Sequence, residues 1–166
     1  MAEIKASDVA KLRKMTGAGM MDCKNALAET NGDFDQAIDI LRKKGQKIAS
    51  KRADREATEG AVIALTSSDK TNGVMIVLNC ETDFVAKNDN FVDFATKIAN
   101  VALNEMPADL EALKALQIDG VVIGDEVINQ TGVIGEKIDL SFYAKVTAPA
   151  VVGYIHPGNK LATLIG

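Results

Sequence analysis

Residues 73–87, G-V-M-I-V-L-N-C-E-T-D-F-V-A-K, join a strand to the segment that leaves it. The run from Val74 to Leu78 is apolar throughout and rich in branched side chains, which is typical of a buried strand. Polar residues follow at once, and Thr82 and Asp83 are residue types that begin helices. The stretch therefore predicts a rigid strand that delivers an acidic residue and an aromatic one, Phe84, side by side at its exit.

The Asp83-Phe84 pair has two interpretations. In the first, Asp83 caps the next helix and Phe84 packs beneath it, and the local pattern alone favours this structural role. In the second, Phe84 stays on the surface, where a partner contacts it. The rest of the chain has to decide between them.

The pattern of apolar residues around this stretch predicts an α+β fold, with an antiparallel sheet packed with helices. A polar turn that ends at Gly73 joins two strands of a hairpin, and an amphipathic helix follows from Phe91. A second helical run follows Pro107, and a shorter helix is predicted from about Asp125. The predicted strands are 61–66, 74–80, 138–146, 151–155 and 161–165.

The segment before the sheet, residues 1–45, predicts a small bundle of three short helices with the shape of a ubiquitin-associated (UBA-like) domain. Ser7 is the expected cap of the first helix, and Gly17 to Gly19 break it. Asp33, with Gln36 three residues later, resembles a capping box that opens the third helix, and Gly45 is its expected end.

Met20 and Met21 are adjacent, so a single helix face cannot bury both. In one interpretation, one methionine fills the core and the other is half-covered. In the other, the two form an adaptable apolar patch for a partner, because methionine is unbranched and polarisable. Arg13, one position from the apolar stripe of the first helix, either flanks that patch or is an ordinary solvated charge.

Basic residues are concentrated between positions 42 and 55, where Asp54 is the only acidic residue. No aromatic residue lies among them, so the segment offers no stacking to nucleic-acid bases. We expect residues 46–59 to form an exposed basic helical linker, with a weak contact to RNA or an acidic partner as the alternative. The core subdomain is then expected at 60–140, and residues 141–166 are expected to be the first strands of an incomplete second subdomain.

The net charge of −4 over 166 residues is unevenly distributed. Residues 1–56 hold 12 basic and 9 acidic residues, a charge of +3, and the remainder holds 7 and 14, a charge of −7. This asymmetry indicates two modules with different surfaces. We expect Cys23 and Cys80 to be reduced thiols, and the absence of a signal sequence or an apolar span predicts a cytoplasmic location. The final strand has no closing element, which predicts a fragment of a longer protein.

Catalytic signatures are lacking in the sequence. His156 is the only histidine, so neither a Ser/His/Asp nor a Cys/His set can be proposed by motif. Residues 153–160 resemble a phosphate loop, but Asn159 occupies the position of the required lysine. We expect no covalent chemistry, no cofactor and no metal site, and hence a protein that is not an enzyme.

Several blocks of the sequence resemble bacterial translation elongation factor Ts. They are L-R-K-M-T-G-A-G-M-M-D-C-K-N-A-L at 12–27, N-G-D at 31–33, C-E-T-D-F-V-A-K at 80–87, I-G-E-K-I at 134–138 and G-Y-I-H at 153–156. The resemblance covers the whole chain, and members of the family are longer. It implies a guanine-nucleotide exchange factor that binds elongation factor Tu, either GDP-bound or nucleotide-free, and releases its GDP in protein biosynthesis. It implies no membrane contact and no direct nucleotide binding by this chain.

The resemblance also implies roles for individual residues. Thr82, Asp83, Phe84 and Val85 match the segment that disturbs the Mg²⁺ and phosphate site of Tu. Phe84 would be inserted between side chains of Tu next to that site. Three residues of the helical bundle would contact the GTPase domain, and one later residue matches a contact to another domain of Tu. These partner-binding residues are Arg13, Met20, Met21 and His156. With these blocks present, an exposed and functional Phe84 becomes the preferred interpretation.

Overall fold

The computed structural model describes residues 4–166, which divide into two units. One unit ends at Asp54 and also includes Ile128–Gly135, and the other consists of Arg55–Val127 and Glu136–Gly166. The chain contains both helices and antiparallel sheets, as predicted, so the α+β class is confirmed. Within residues 4–166, no helix combines the length and the apolar character that crossing a membrane requires.

The secondary structure elements follow one another along the chain as follows. The helices are α1 Ala6–Thr16, α2 Met20–Glu29, α3 Phe34–Arg52, α4 Asp83–Ala86, α5 Asp89–Glu105, α6 Leu110–Ala115 and α7 Ile123–Ile134. The strands are β1 Glu59–Thr66, β2 Asn72–Cys80, β3 Gln117–Ile118, β4 Val121–Val122, β5 Asp139–Thr147, β6 Val152–Ile155 and β7 Ala162–Ile165.

Helices α1, α2 and α3 form the predicted three-helix bundle around a small apolar core. The core residues are Val9, Leu12, Cys23, Ala26, Leu27 and Ala37. Gly17 ends α1 in the left-handed conformation, and its N–H donates to the Arg13 carbonyl. Asp33 caps α3, because its carboxylate accepts from the backbone N–H of Gln36 at 3.0 Å. The predicted cap at Ser7 is wrong, since α1 begins at Ala6 and Ser7 already lies in its first turn.

Gly45 does not end the third helix, contrary to the prediction. Helix α3 continues to Arg52, and Gly45 is buried within it. The reason is a close approach to α7: a Cβ added at Gly132 would overlap the Cα of Gly45. Gly45 is therefore a packing position between two helices, and the basic residues up to Arg52 extend the helix of the bundle.

The second unit is built on a three-stranded antiparallel sheet in the order β1-β2-β5. β2 is the central strand, and Ile76 pairs with Ile63 on one side and Tyr143 on the other. Side chains alternate between the two faces of a strand. On β2 the fully buried set therefore lies on one face: Val74, Ile76, Leu78 and Cys80.

Helix α5 contacts β1 and β2 through an apolar stripe. Asn88 caps this helix, and its side chain accepts from the N–H of Asn90. The buried residues of the stripe are Phe91, Ala95, Ile98, Ala99 and Ala102. The sheet and α5 together hold β2 in place, and the candidate site begins where β2 ends.

The later elements differ from the prediction in detail. Helix α7 begins at Ile123, two residues before the predicted start, and the short β3–β4 ribbon was not predicted. β6 and β7 form a separate two-stranded sheet. The expected boundary between the core subdomain and the second subdomain, at residues 140 and 141, lies inside β5. The division of the chain into four parts stays a prediction.

Candidate functional site

The segment that follows β2 turns into the short helix α4, and Thr82 is its cap. Thr82 has an extended backbone, and its hydroxyl oxygen accepts from the N–H of Val85 at 3.5 Å. Asp83 is the first residue of the helix, where the helix dipole stabilises its negative charge. The expectation that Asp83 caps this helix is therefore wrong, because Thr82 occupies the cap position one residue earlier.

Phe84 lies on the surface, and the residue is 84% exposed. The interpretation in which its ring packs beneath the helix is wrong. Ala86, two positions later, is buried. Because two positions on a helix are about 200° apart, the face that buries Ala86 turns Phe84 outward. The strand exit thus presents an aromatic ring to the solvent, which is the geometry that a contact with a partner requires.

Glu136, which lies shortly before β5, binds the backbone at the point where the chain leaves β2. Its Oε2 accepts from the backbone N–H of Glu81 at 3.1 Å and of Thr82 at 3.0 Å. Its Oε1 accepts from the Thr82 hydroxyl at 2.7 Å. The Thr82 hydroxyl therefore donates to Glu136 while it accepts from Val85, so both of its functions are used.

Glu81 makes the reciprocal contact. Its Oε1 accepts from the backbone N–H of Lys137 at 2.7 Å, and its Oε2 lies 4.0 Å from the Arg55 guanidinium. We call Glu81 and Glu136 the carboxylate clamp, since each binds the backbone next to the other. Sequence reasoning assigned no role to Glu136, although the I-G-E-K-I block that contains it contributed to the resemblance.

Asp83 is also paired within the segment. The Lys87 ammonium donates to its carboxylate at 2.7 Å, at the spacing of four residues that brings helical side chains together. This hydrogen bond and the charge of Lys87 lower the pKa of Asp83 below its ordinary value, and the more distant Lys160 adds to the effect. Asp83 therefore presents a negative charge beside the ring of Phe84 at neutral pH.

Cys80, the last residue of β2, has a buried thiol that contacts the segment following the strand. Its Sγ donates to the carbonyl of Thr82 at 3.2 Å. Burial raises the pKa of the Cys80 thiol to about 11, and the negative charge of Glu136 adds to this effect. The thiol thus stays protonated at neutral pH and keeps its role as a donor.

The predicted contact residues of the bundle lie on its surface. Met20 is 51% exposed and Met21 is 62% exposed, so the expectation that one of them fills the core is wrong. Met20 and Arg13 line the same depression, together with Ala10 and Lys14, with a volume of about 330 Å³. The structure thus brings Arg13 and Met20 together, and it leaves Met21 beside them on α2 as a second exposed apolar side chain.

His156 lies exposed in the turn between β6 and β7. Its Nδ1 is 2.9 Å from the Tyr154 hydroxyl, and its backbone N–H donates to the carbonyl of Leu161 at 2.8 Å. Tyr154 was not selected from the sequence, although residues two apart on a strand lie on the same face. Tyr154 orients the imidazole ring and adds an aromatic surface next to it.

Within residues 4–166, no three His, Cys, Asp or Glu residues are placed to hold a metal ion. In the basic segment, Lys44 lies 2.5 Å from Asp22 and Arg42 lies 3.3 Å from Asp39. These pairs offset part of the positive charge, and the contact with RNA stays a prediction. Within the second unit, the exposed ring of Phe84 is the centre of the candidate site.

The segment that follows β2 lies within a region that matches a known protein family. The family model described as Elongation factor TS matches residues 81–166, which include Phe84, Glu136 and His156. Over all 166 residues the chain is 57% identical to Elongation factor Ts of Christiangramia forsetii, and 60% of that relative is covered. The protein of the same name from Flavobacterium psychrophilum is 57% identical over 99% of the chain and 59% of the relative. That of Porphyromonas gingivalis is 54% identical over 95% of the chain and 57% of the relative. The chain thus spans about 60% of the length of these curated relatives.

Proposed function

Because the chain belongs to the elongation factor Ts family, we propose that it is a guanine-nucleotide exchange factor for elongation factor Tu. In this proposal it binds Tu with GDP bound, disturbs the Mg²⁺ and phosphate site, and promotes the release of GDP during translation elongation in the cytoplasm. The observation that carries the proposal is the ring of Phe84, which is 84% exposed on a short helix at the exit of the central strand.

The energy that Phe84 can contribute is sufficient for a measurable effect. Burying a phenylalanine side chain stabilises a complex by about 1.5–3 kcal/mol. Since each 1.4 kcal/mol changes an equilibrium constant about tenfold, Phe84 alone supplies ~10–100-fold of coupling between partner and nucleotide. A larger acceleration requires the other contacts of the chain as well.

The mechanism follows from the position of the metal in GTPases. Mg²⁺ bridges the nucleotide phosphates and protein side chains, and it neutralises their charge. Insertion of Phe84 next to that site displaces groups that hold the ion, so nucleotide binds more weakly. By linkage, bound nucleotide weakens the binding of the factor by the same ratio. No covalent bond forms or breaks, so the chain is an exchange factor and not an enzyme.

The other exposed residues have separate roles in this proposal. The depression lined by Arg13 and Met20, with Met21 beside it, docks on the GTPase domain of Tu. His156 contacts another domain of Tu. These contacts bring affinity and orientation, whereas Thr82, Asp83, Phe84 and Val85 act on the Mg²⁺ and phosphate site.

The test is the release of a fluorescent GDP analogue from Tu. Tu loaded with the analogue is mixed with excess unlabelled GDP and increasing amounts of the chain, and the fluorescence decay gives the release rate. The proposal expects the rate to rise with concentration of the chain and then to saturate. An unchanged rate at concentrations where the chain binds Tu would refute it. An unrelated protein at equal concentration is the control.

A further inference from the structure

We propose that the carboxylate clamp of Glu81 and Glu136 fixes the orientation of Phe84, and that Glu136 is a positioning residue for nucleotide exchange. This inference rests on the proposed function, which it deepens. The juxtaposition that carries it is the Glu136 carboxylate placed over the backbone of residues 81 and 82, immediately before the exposed ring.

The ring needs such a support because its own helix gives it little. Helix α4 spans only Asp83–Ala86, and Ala86 is its one buried residue. A single helical turn is not stable by itself, since its nucleation costs more than one hydrogen bond returns. The orientation of Phe84 must therefore be set by contacts that lie outside α4.

The clamp connects α4 to the sheet. Thr82 and Glu81 leave the end of β2, whereas Glu136 and Lys137 lead into β5, and Asn79 of β2 pairs directly with Asp139 of β5. The Glu136 carboxylate accepts from two backbone N–H groups and the Thr82 hydroxyl, and the Glu81 carboxylate accepts from the N–H of Lys137. Hydrogen bonds to a carboxylate are stronger than those between neutral groups. The reciprocal pairing therefore ties the start of α4 to two paired strands.

The chemistry of the side chain predicts a graded series of variants. In Glu136→Gln the amide oxygen can accept from both N–H groups, and the amide nitrogen can donate to the Thr82 hydroxyl oxygen, which has two lone pairs. The positions of the side-chain atoms are then kept, whereas the charge and the acceptor of the Thr82 hydroxyl proton are lost. In Glu136→Ala all of these partners lose their acceptor, and the segment is free to reorient.

The first experiment is a double-mutant cycle in the GDP-release assay. Glu136→Ala is expected to lower the saturating release rate about tenfold, which corresponds to ~1.4 kcal/mol, with a smaller change in the half-saturating concentration. Glu136→Gln is expected to restore most of the rate. If Glu136 acts through Phe84, the variant that combines Phe84→Ala with Glu136→Ala will be no slower than Phe84→Ala alone. Additive losses, or an unchanged rate in Glu136→Ala, would overturn the inference.

The second experiment does not depend on exchange activity. The chain contains no tryptophan, so Phe84→Trp introduces a single indole at the site. Time-resolved fluorescence anisotropy of this variant is expected to gain amplitude in its fast decay when Glu136→Ala is added. Asp119→Ala, which removes an exposed carboxylate paired with Lys97, is the matched control and is expected to change nothing.

The two readouts separate failure of the clamp from failure of the proposed function. If the unmodified chain does not accelerate GDP release but Glu136→Ala loosens the indole, nucleotide exchange is refuted and the clamp is supported. If the anisotropy is the same with and without Glu136, the clamp is overturned whatever the exchange assay shows. Thermal unfolding of each variant shows whether a lower release rate comes from unfolding of the chain. If Glu136→Ala is unfolded, Glu136→Gln is compared with the unmodified chain instead.

Discussion

Thr82 and Glu136 are joined by two hydrogen bonds, one from the Thr82 N–H at 3.0 Å and one from the Thr82 hydroxyl at 2.7 Å. The same hydroxyl oxygen accepts from the N–H of Val85 and so caps α4. One residue therefore links the helix that carries Phe84 to a carboxylate 54 positions further along the chain. This link explains how a side chain with almost no packing of its own is held outward in a defined place.

The crossing of α3 and α7 leads to a prediction about stability. A Cβ at Gly132 would overlap the backbone of Gly45, so Gly132→Ala forces the two helices apart. We expect this substitution to lower the free energy of unfolding by about 1–3 kcal/mol, the usual cost of overpacking. The measurement is denaturant unfolding followed by far-UV circular dichroism.

Gly45→Ala is the matched control for that prediction. A Cβ at Gly45 would lie 3.6 Å from the Cα of Gly132, which is an ordinary van der Waals contact. Alanine is also favoured over glycine within a helix by about 1 kcal/mol. Gly45→Ala is therefore expected to leave the free energy of unfolding unchanged or to raise it. Equal losses in the two variants would contradict the asymmetric packing that the structure shows.

The pair of Asp83 and Lys87 predicts a pH dependence. Lys87 lowers the pKa of Asp83 below 3.8, so the stabilising contact is present at neutral pH and is lost as the pH falls through this lowered pKa. Lys87→Gln is expected to raise the pKa of Asp83 towards 3.8, as measured by carboxyl ¹³C chemical shifts. Lys97→Gln is the control, since Lys97 pairs with Asp119. An Asp83 pKa that does not move in Lys87→Gln would argue against the pair.

The depression on the bundle predicts an effect on affinity. Met20 lines it, whereas Met15 on α1 is exposed to a similar extent without lining it. We expect Met20→Ala to raise the half-saturating concentration in the GDP-release assay by a factor of ~5–30, which corresponds to 1–2 kcal/mol, with little change in the saturating rate. Met15→Ala is expected to leave both values unchanged. The same loss in both variants would mean that the depression is not the docking surface.

Much of the fold could be predicted because its signals are local. The apolar run of β2 and the helical spacing of α5 are visible in short windows of sequence, and Asp33 and Asn88 are caps of the expected types. The end of α3 could not be found in this way, since Gly45 is explained by its contact with Gly132. The β3–β4 ribbon was missed because strands of two residues carry no periodicity.

The candidate site was only partly predictable for the same reason. The local pattern at residues 82–85 favoured a buried Phe84, and the resemblance of the flanking blocks reversed that interpretation before the structure did. Glu136 had no local signal, because its partners Glu81 and Thr82 are distant in sequence and meet it only through the pairing of β2 with β5. A residue that acts by hydrogen bonding to a distant backbone leaves no motif of its own.

The most direct test of the central claim compares Phe84→Ala with Phe142→Ala, a substitution of the same type at a half-exposed position on β5. Because Phe84 is exposed, its loss is expected to change the free energy of unfolding by no more than about 0.5 kcal/mol. The rate of GDP release from Tu is nevertheless expected to fall ~10–100-fold in Phe84→Ala, while Phe142→Ala keeps the rate of the unmodified chain. A folded Phe84→Ala variant that releases GDP as fast as the unmodified chain would contradict the account.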